Sequence, residues 1–283
     1  MSSAPSDRIG LIAGNGTFPI FFARAAKKRG FTVIAVGMRG ETKPEVAREV
    51  DEMTWVKVGQ LKPMIEAFVK GGCTQAAMAG GVRKTRLFER ARPDFLAMKL
   101  LARAAIRRDD GMLRAVADEF EKAGVTIIDS TVFMPEALAP EGVMTKKKPD
   151  PREWQDLRYG LVIAREIGKL DIGQTVVVKD GAVVALEAIE GTDACIARAG
   201  ALTNKKGAVI VKVAKPAQDM RFDVPAIGPK TLVSMRDAGV RVLGIEAGRT
   251  LILEPEQFVN EADAAGLVIV GLTSNEILTA AAS

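Results

Sequence analysis

Arg8–Val36, RIGLIAGNGTFPIFFARAAKKRGFTVIAV, is the stretch whose reading decides the fold. Arg8–Ala13 (RIGLIA) is a short apolar run and predicts a buried strand. Gly14-Asn15-Gly16-Thr17-Phe18-Pro19 reads as a turn. Ile20 to Arg29 predicts a helix stopped by Gly30, and Phe31–Val36 (FTVIAV) a second strand. Strand, glycine turn, helix and strand within roughly 30 residues make a βαβ unit.

Working outward, the alternation continues. Thr54–Val58 predicts a strand, Gln60–Gly71 a helix, and Gln75–Ala79 a strand ending at Gly80-Gly81. Helices over Asp94–Ile106 and Gly111–Ala123 and a strand over Thr126–Asp129 follow. Strands alternating with helices imply a parallel sheet covered on both faces. Residues 1–145 are therefore expected to form a Rossmann-like nucleotide-binding domain. Met144–Glu153 (MTKKKPDPRE) changes character, with three lysines in a row and two prolines. The linker is placed at 146–152, and 153–283 is expected to be a smaller, mixed α/β catalytic domain. It opens on a helix, Gln155–Gly168. Gln174–Lys179 and Ala182–Ile189 flank Asp180-Gly181, a hairpin signal, because Asp-Gly supports a turn at positive φ. A short helix (Asp193–Gly200), a strand (Ala208–Val213), a helix (Lys230–Ala238) and a strand (Arg241–Ile245) come next. Ala247-Gly248 leads into Thr250–Leu253 as a second predicted hairpin, before a helix (Glu256–Ala265) and a last strand (Leu267–Gly271). The fold class is α/β throughout.

Composition narrows the chemistry. At 283 residues and 48% hydrophobic content, the chain is long enough for two domains with real cores. Its two cysteines, Cys73 and Cys195, are too few for a disulfide framework. MSSAPSDR has no basic segment followed by an apolar one, and no apolar run reaches the roughly 18 residues of a membrane span. A cytoplasmic protein is expected. A net charge of +5 suits an anionic ligand or an anionic membrane surface. Aromatics at 5% supply few stacking platforms, so nucleic acid is not an expected partner. There is no histidine. Ser-His-Asp and Cys-His catalysis and histidine zinc sites are thereby excluded. Acid–base work falls to Asp, Glu, Lys, Tyr or metal-bound water, and a metal would be held by oxygen, which favours Mg2+ or Mn2+.

Four stretches could carry that chemistry. Gly14, Asn15, Gly16 and Phe18 sit where a strand feeds a helix, a place where backbone N–H groups and the helix dipole meet phosphate. Gly80, Gly81, Val82 and Arg83 follow another strand, and in doubly wound sheets ligands sit at strand carboxyl ends. Glu187, Glu190, Gly191, Thr192 and Asp193 gather carboxylates at a strand end and a helix start, as a divalent cation requires. Lys212, Lys215, Arg221 and Asp223 lie in or beside a proline-punctuated loop that mixes cations to neutralise phosphate with a carboxylate to hold metal or direct water. Each has a plainer use, as turn, helix cap or solvated loop. In a fifth stretch, one of Asp109 and Asp110 reads as a helix cap, and the other could help hold a metal or ligand.

GLIAGNGTFP, AGGVRKTRLF, ALEAIEGTDA and KPAQDMRFDVPAIGPKT, taken together and in this order, resemble the LpxI-type UDP-2,3-diacylglucosamine pyrophosphatases, from about Arg8 to Gly271. The resemblance implies two α/β domains and hydrolysis of the substrate's pyrophosphate to lipid X and UMP in lipid A biosynthesis. It also implies dependence on magnesium or a similar cation, action at the cytoplasmic face of the inner membrane, and an essential aspartate at Asp223. Asp223, Lys215 and Arg221 are then the catalytic candidates. Asp223, Glu187, Glu190 and Asp193 are the metal candidates. Gly14, Asn15, Gly16, Phe18, Gly80, Gly81, Val82, Arg83, Gly191, Thr192 and Lys212 are the substrate-binding candidates. A homodimer is compatible with the sequence, which contains nothing that decides it. Two rivals stand beside this reading. A nicotinamide-dependent oxidoreductase would use the βαβ start, although Pro19 replaces the third glycine and only Glu41 offers an acid near the second strand. A lipid-nucleotide binding protein would bind without turnover.

Overall fold

The computed structural model describes residues 7–82, 92–104, 109–216, 218–222 and 224–273. Arg83 and Asp223 lie outside them, as do the side chains of Asp109 and Asp110. The chain forms two compact units of nearly equal length. One holds residues up to Pro135 together with 219–223, and the other holds 136–218 and 224 onward.

The first unit contains β1 (Arg8–Ala13), α1 (Phe18–Lys28), β2 (Thr32–Met38), β3 (Glu52–Val56), α2 (Lys62–Lys70), β4 (Gln75–Ala79), α3 (Phe95–Ala104), α4 (Asp109–Lys122) and β5 (Thr126–Ile128). Its five strands run in the order β3-β2-β1-β4-β5, all parallel. β1 and β2 are apolar along their length because both faces of the sheet are covered. α1 packs on β1 and β2 and buries Phe22, Ala23 and Ala26. Phe22 and Phe133 meet edge to face, with ring centroids 5.3 Å apart. A second cluster contains Ile34 and Val36 of β2, Phe68 of α2 and Phe120 of α4. α1 starts at Phe18, earlier than expected, because Pro19 falls in the first turn, where its missing N–H costs nothing.

The second unit contains β6 (Gly142–Val143), α5 (Pro151–Lys169), β7 (Thr175–Lys179), β8 (Ala182–Leu186), α6 (Thr192–Leu202), β9 (Val209–Lys212), β10 (Ala226–Ile227), α7 (Pro229–Asp237), β11 (Val242–Glu246), β12 (Leu251–Ile252), α8 (Pro255–Ala264) and β13 (Val268–Leu272). Six strands form a mixed sheet in the order β6-β13-β11-β9-β7-β8. Strand alternation sorts its side chains. Val176, Val178, Val209, Val211, Val242, Val268 and Val270 pack with Leu157, Leu161 and Ala164 of α5. Val177, Ile210, Leu243, Ile245 and Ile269 pack with residues of α6, α7 and α8 on the other face.

The predicted β7–β8 hairpin is present. Asp180 and Gly181 both have positive φ, 49° and 77°, the backbone that Asp-Gly favours. The second predicted hairpin is not. β12 pairs parallel with β10, and β11 pairs with β9 and β13. β11 is an interior strand, so neither of its edges is free for β12.

The compact units divide after Pro135 rather than at 145, and 146–152 belongs to the second unit. The Lys146 N–H donates to Asp263 (2.7 Å), and Arg241 donates to the Lys148 carbonyl (3.2 Å). Asp150 and Glu153 cap α5 reciprocally, so the helix begins at Pro151.

Candidate functional site

In the first unit, β1 is followed by crossovers in opposite directions, to β2 on one side and β4 on the other. That reversal opens a crevice at the carboxyl ends of β1 and β4. Both glycine turns lie there. The Gly14 N–H donates to the Ala79 carbonyl and the Asn15 N–H to the Gly81 carbonyl, each at 2.8 Å. The turns pack backbone on backbone. A Cβ on Gly14 would lie 2.6 Å from the Gly81 oxygen, and Gly80 has φ +79° with its Cα turned against Asn15. Packing alone thus accounts for Gly14 and Gly80. Gly16 and Gly81 have open space beside them, which is the room a ligand would use. Thr42, not singled out from sequence, locks this edge: its hydroxyl accepts the Met38 N–H (2.8 Å) and donates to the Ala13 carbonyl. Phe18 is buried as a core residue of α1, and Val82 packs against the apolar cluster of α2 and α4. Glu41 is buried. Gly80→Ala is expected to lower stability by about 2 kcal/mol, because the left-handed backbone and the Asn15 carbonyl both oppose a Cβ. Denaturant unfolding of the variant checks this.

The second unit holds a buried polar row. Thr175 of β7 is in register with Lys212 of β9. The Glu187 N–H donates to the Thr175 carbonyl at 2.9 Å, extending the β7–β8 pairing by one residue. Glu187 has the parity of Ala185, Thr175 that of Val177, and Lys212 that of Ile210, so all three point to the face that α6 covers. Thr192, the first residue of α6, joins them. Its hydroxyl lies 3.0 Å from Glu187 Oε1 and 3.4 Å from Lys212 Nζ, and 3.5 Å from the Thr175 hydroxyl. Thr192 therefore donates to the carboxylate and accepts from the ammonium. Lys212 also donates to the Ala226 carbonyl at 3.2 Å. Glu187 and Lys212 are 7% and 8% exposed. Glu187 Oε2 is buried with no hydrogen-bond partner among the described residues. A buried ammonium beside a helix N-terminus concentrates positive potential, which is the setting an anion requires. Gly191, with φ +86°, is the N-cap of α6.

The other predicted acids face elsewhere. Glu190 pairs with Arg198 (2.8 Å), and Arg198 also donates to the Leu186 carbonyl (2.7 Å). The backbone N–H of Glu190 and then Arg198 hold the Glu190 carboxyl below its ordinary range. Asp193 pairs with Lys230 and accepts from the Ser234 hydroxyl at 3.0 Å. Among the described residues, no group of three or more Cys, Asp or Glu comes together.

The loop after β9 is held at its base by Glu246, which is 3% exposed. Glu246 accepts the Ala214 N–H (2.9 Å) and pairs with Arg165 (3.2 Å) and Arg249 (3.6 Å). Sequence reasoning missed Glu246 and Thr175; strand parity would have pointed Thr175 inward had the register been known. Further along, Lys215 is paired with Asp171. Arg221 grips Asp219 with two bonds, 3.0 and 2.7 Å, and its guanidinium lies 4.8 Å from the Phe222 ring centroid. Hydrogen bonding from Arg221 holds the Asp219 carboxyl below its ordinary range. Burial pushes both thiols, Cys73 and Cys195, up to about 11, so neither is a nucleophile near neutral pH.

Among solved structures, the chain is similar to the biotin carboxylase domain of a thermophilic 2-oxoglutarate carboxylase (14% identity, TM-score 0.27). That match covers 60% of this chain and 34% of the other. It is also similar to the biotin carboxylase subunit of pyruvate carboxylase (13% identity, TM-score 0.26), over 65% and 38% of the two chains. At those scores the likenesses carry no argument. Sequence relatedness goes further. Across 279 residues the chain is 35% identical to the UDP-2,3-diacylglucosamine pyrophosphatase LpxI of Caulobacter vibrioides, covering 95% of this chain and 99% of the relative. Residues 8–137 match the LpxI N-terminal domain and residues 140–270 the LpxI C-terminal domain. With both domains matched in order and nearly end to end, the chain belongs to the LpxI family.

Proposed function

We propose that this chain hydrolyses the pyrophosphate bond of UDP-2,3-diacylglucosamine, releasing UMP and 2,3-diacylglucosamine 1-phosphate (lipid X) in lipid A biosynthesis. The observation that carries the reading is the 35% identity over 95% of this chain and 99% of a relative bearing that activity in its name. The buried cation and helix N-terminus in the second unit support it chemically. Pyrophosphate cleavage demands positioning and charge neutralisation above all. Lys212 and the first turn of α6 take a phosphate in this reading. A P–O bond to water forms as the bridging P–O bond breaks. The water's proton goes to a carboxylate, which we assign to Asp223, and the leaving phosphate carries away the electron pair. Lys215 can help neutralise that phosphate only by releasing Asp171.

We also propose dependence on Mg2+ or Mn2+. Magnesium is commonly held by one or two carboxylates plus substrate phosphates. Glu187, with its unpartnered buried oxygen, fits that modest requirement; Glu190 and Asp193, already paired with cations, fit it less well. Asp223 is a candidate through the family resemblance alone. When bound, the ion would neutralise phosphate oxygens. Because the substrate carries two acyl chains, we place the enzyme peripherally on the cytoplasmic face of the inner membrane. The net charge of +5 supports this, and among the described residues no helix is long and apolar enough to cross a bilayer.

The test is UMP release by the purified chain, with chelator and then with magnesium restored. Activity is expected to vanish and return. Undiminished activity in chelator would remove the metal from the proposal. Substrate binding by a folded chain without UMP release would favour the binding-protein reading instead.

A further inference from the structure

Thr192 stands at the centre of the buried polar row of the second unit, and its hydroxyl is fully used there. A threonine hydroxyl offers one proton and two lone pairs. The proton goes to Glu187 Oε1 at 3.0 Å, since a carboxylate accepts. One lone pair takes Lys212 Nζ at 3.4 Å, since an ammonium only donates. The Thr175 hydroxyl lies 3.5 Å away, on the side of the other. The four side chains come from four places in the chain: β7, the end of β8, the start of α6 and β9. Thr192 is the member of the row that belongs to a helix. The Cys195 N–H donates to the Gly191 carbonyl at 3.1 Å, so Thr192 opens the first turn of α6. The first N–H groups of a helix have no partner within it and carry the positive end of its dipole. A lysine ammonium rides on a flexible four-carbon stem, so its place is set by the bonds that hold it. The Ala226 carbonyl, at 3.2 Å, ties Lys212 to β10, and the Thr192 hydroxyl ties it to α6.

We propose that Thr192 is a positioning residue that holds the Lys212 ammonium beside the N-terminus of α6, so that both meet the same phosphate. The proposal rests on the hydrolase reading above. It gives Thr192 a different task from contacting substrate, because its hydroxyl is spent on Glu187, Lys212 and Thr175. Glu187 orients the hydroxyl. By taking its proton, the carboxylate leaves a lone pair for the ammonium.

The experiment measures two things in wild type, Thr192→Val, Thr192→Ser and Thr192→Ala. One is UMP release. The other is the rate at which acetic anhydride acetylates Lys212, read by mass spectrometry. Thr192→Val keeps the shape and removes the hydroxyl. A misplacement of about 1 Å can cost on the order of 100-fold in rate, so this variant is expected to lose about 100-fold in kcat, with KM changed by less than about threefold. Thr192→Ser restores the hydroxyl and should return to within about tenfold of wild type. Thr192→Ala should lose as much as Thr192→Val, and it covers the case in which the valine variant does not fold. Acetylation of Lys212 should quicken by about tenfold in Thr192→Val and Thr192→Ala, the scale of one lost hydrogen bond to a charged group, and stay near the wild-type rate in Thr192→Ser. Wild-type kcat in folded Thr192→Val or Thr192→Ala would overturn the proposal. So would a loss confined to KM, which marks a substrate contact, or a serine variant as impaired as the valine one. A fall in kcat with unchanged acetylation would overturn it too, because the lysine would not have moved. If wild type itself releases no UMP, the hydrolase reading fails by that result, and the acetylation comparison still decides whether Thr192 holds Lys212.

Discussion

Asp223→Ala is expected to cut turnover by about 10²–10⁴-fold while leaving the melting temperature and KM near wild type. The LpxI resemblance carries an essential aspartate to this position, and the chemistry of the other candidates is compatible with it. A proton must leave the attacking water, and the chain has no histidine to take it. Both thiols are buried and pushed up to about 11. Glu190 and Asp193 are ion-paired with Arg198 and Lys230, and Asp219 is taken by Arg221. Glu187 shares one oxygen with Thr192. Asp223→Asn should lose as much as Asp223→Ala, because shape without charge restores nothing. Steady-state kinetics on the two folded variants checks this. Turnover above about a tenth of wild type would return the proton to another group.

Lys212→Met should lower kcat/KM by about 10²–10³-fold, the scale of removing one pre-placed donor to a charged transition state. It should also destabilise the second unit by about 1–3 kcal/mol, because Thr192 and the Ala226 carbonyl lose a buried donor and Glu187 loses its nearby positive charge. These two losses have different cures. Glu187→Gln added to Lys212→Met removes the uncompensated charge, so the double variant should recover stability. It should not recover activity. Measured together, unfolding midpoints and kcat/KM separate a structural lysine from one that meets phosphate. Recovery of both would assign Lys212 to structure alone.

Much of this was legible in the sequence where local chemistry and global fold agree. Arg8–Val36 reads as strand, turn, helix and strand because its apolar runs match strands buried on both faces and its glycines stand where the backbone must turn. Asp180-Gly181 foretold its hairpin for the same reason. The failures have equally local causes. Ala247-Gly248 looks like a hairpin turn, but whether β12 can fold back depends on which strands flank β11, and those come from positions 209–212 and 268–272. The charged stretch at 146–152 reads as linker until its capping box and its ties to Asp263 and Arg241 are seen. The acids at 187–193 look like a cluster because they are close in sequence. Strand end, turn and helix then aim them in three directions, and only Glu187 turns inward. Its partners Thr175 and Lys212 come from separate strands, so the row exists only once the sheet has its register. The glycines of the first unit were found, but their packing against one another was not foreseen.

The central claim is cleavage of a phosphoric anhydride, and ³¹P NMR of UDP-2,3-diacylglucosamine incubated with the chain and magnesium tests it most directly. The account predicts that the two coupled diphosphate signals disappear together and are replaced by two uncoupled phosphomonoesters, UMP and lipid X. Persistence of the diphosphate signals in the presence of folded protein would contradict it, as would conversion to free UDP through breakage of the sugar–phosphate bond.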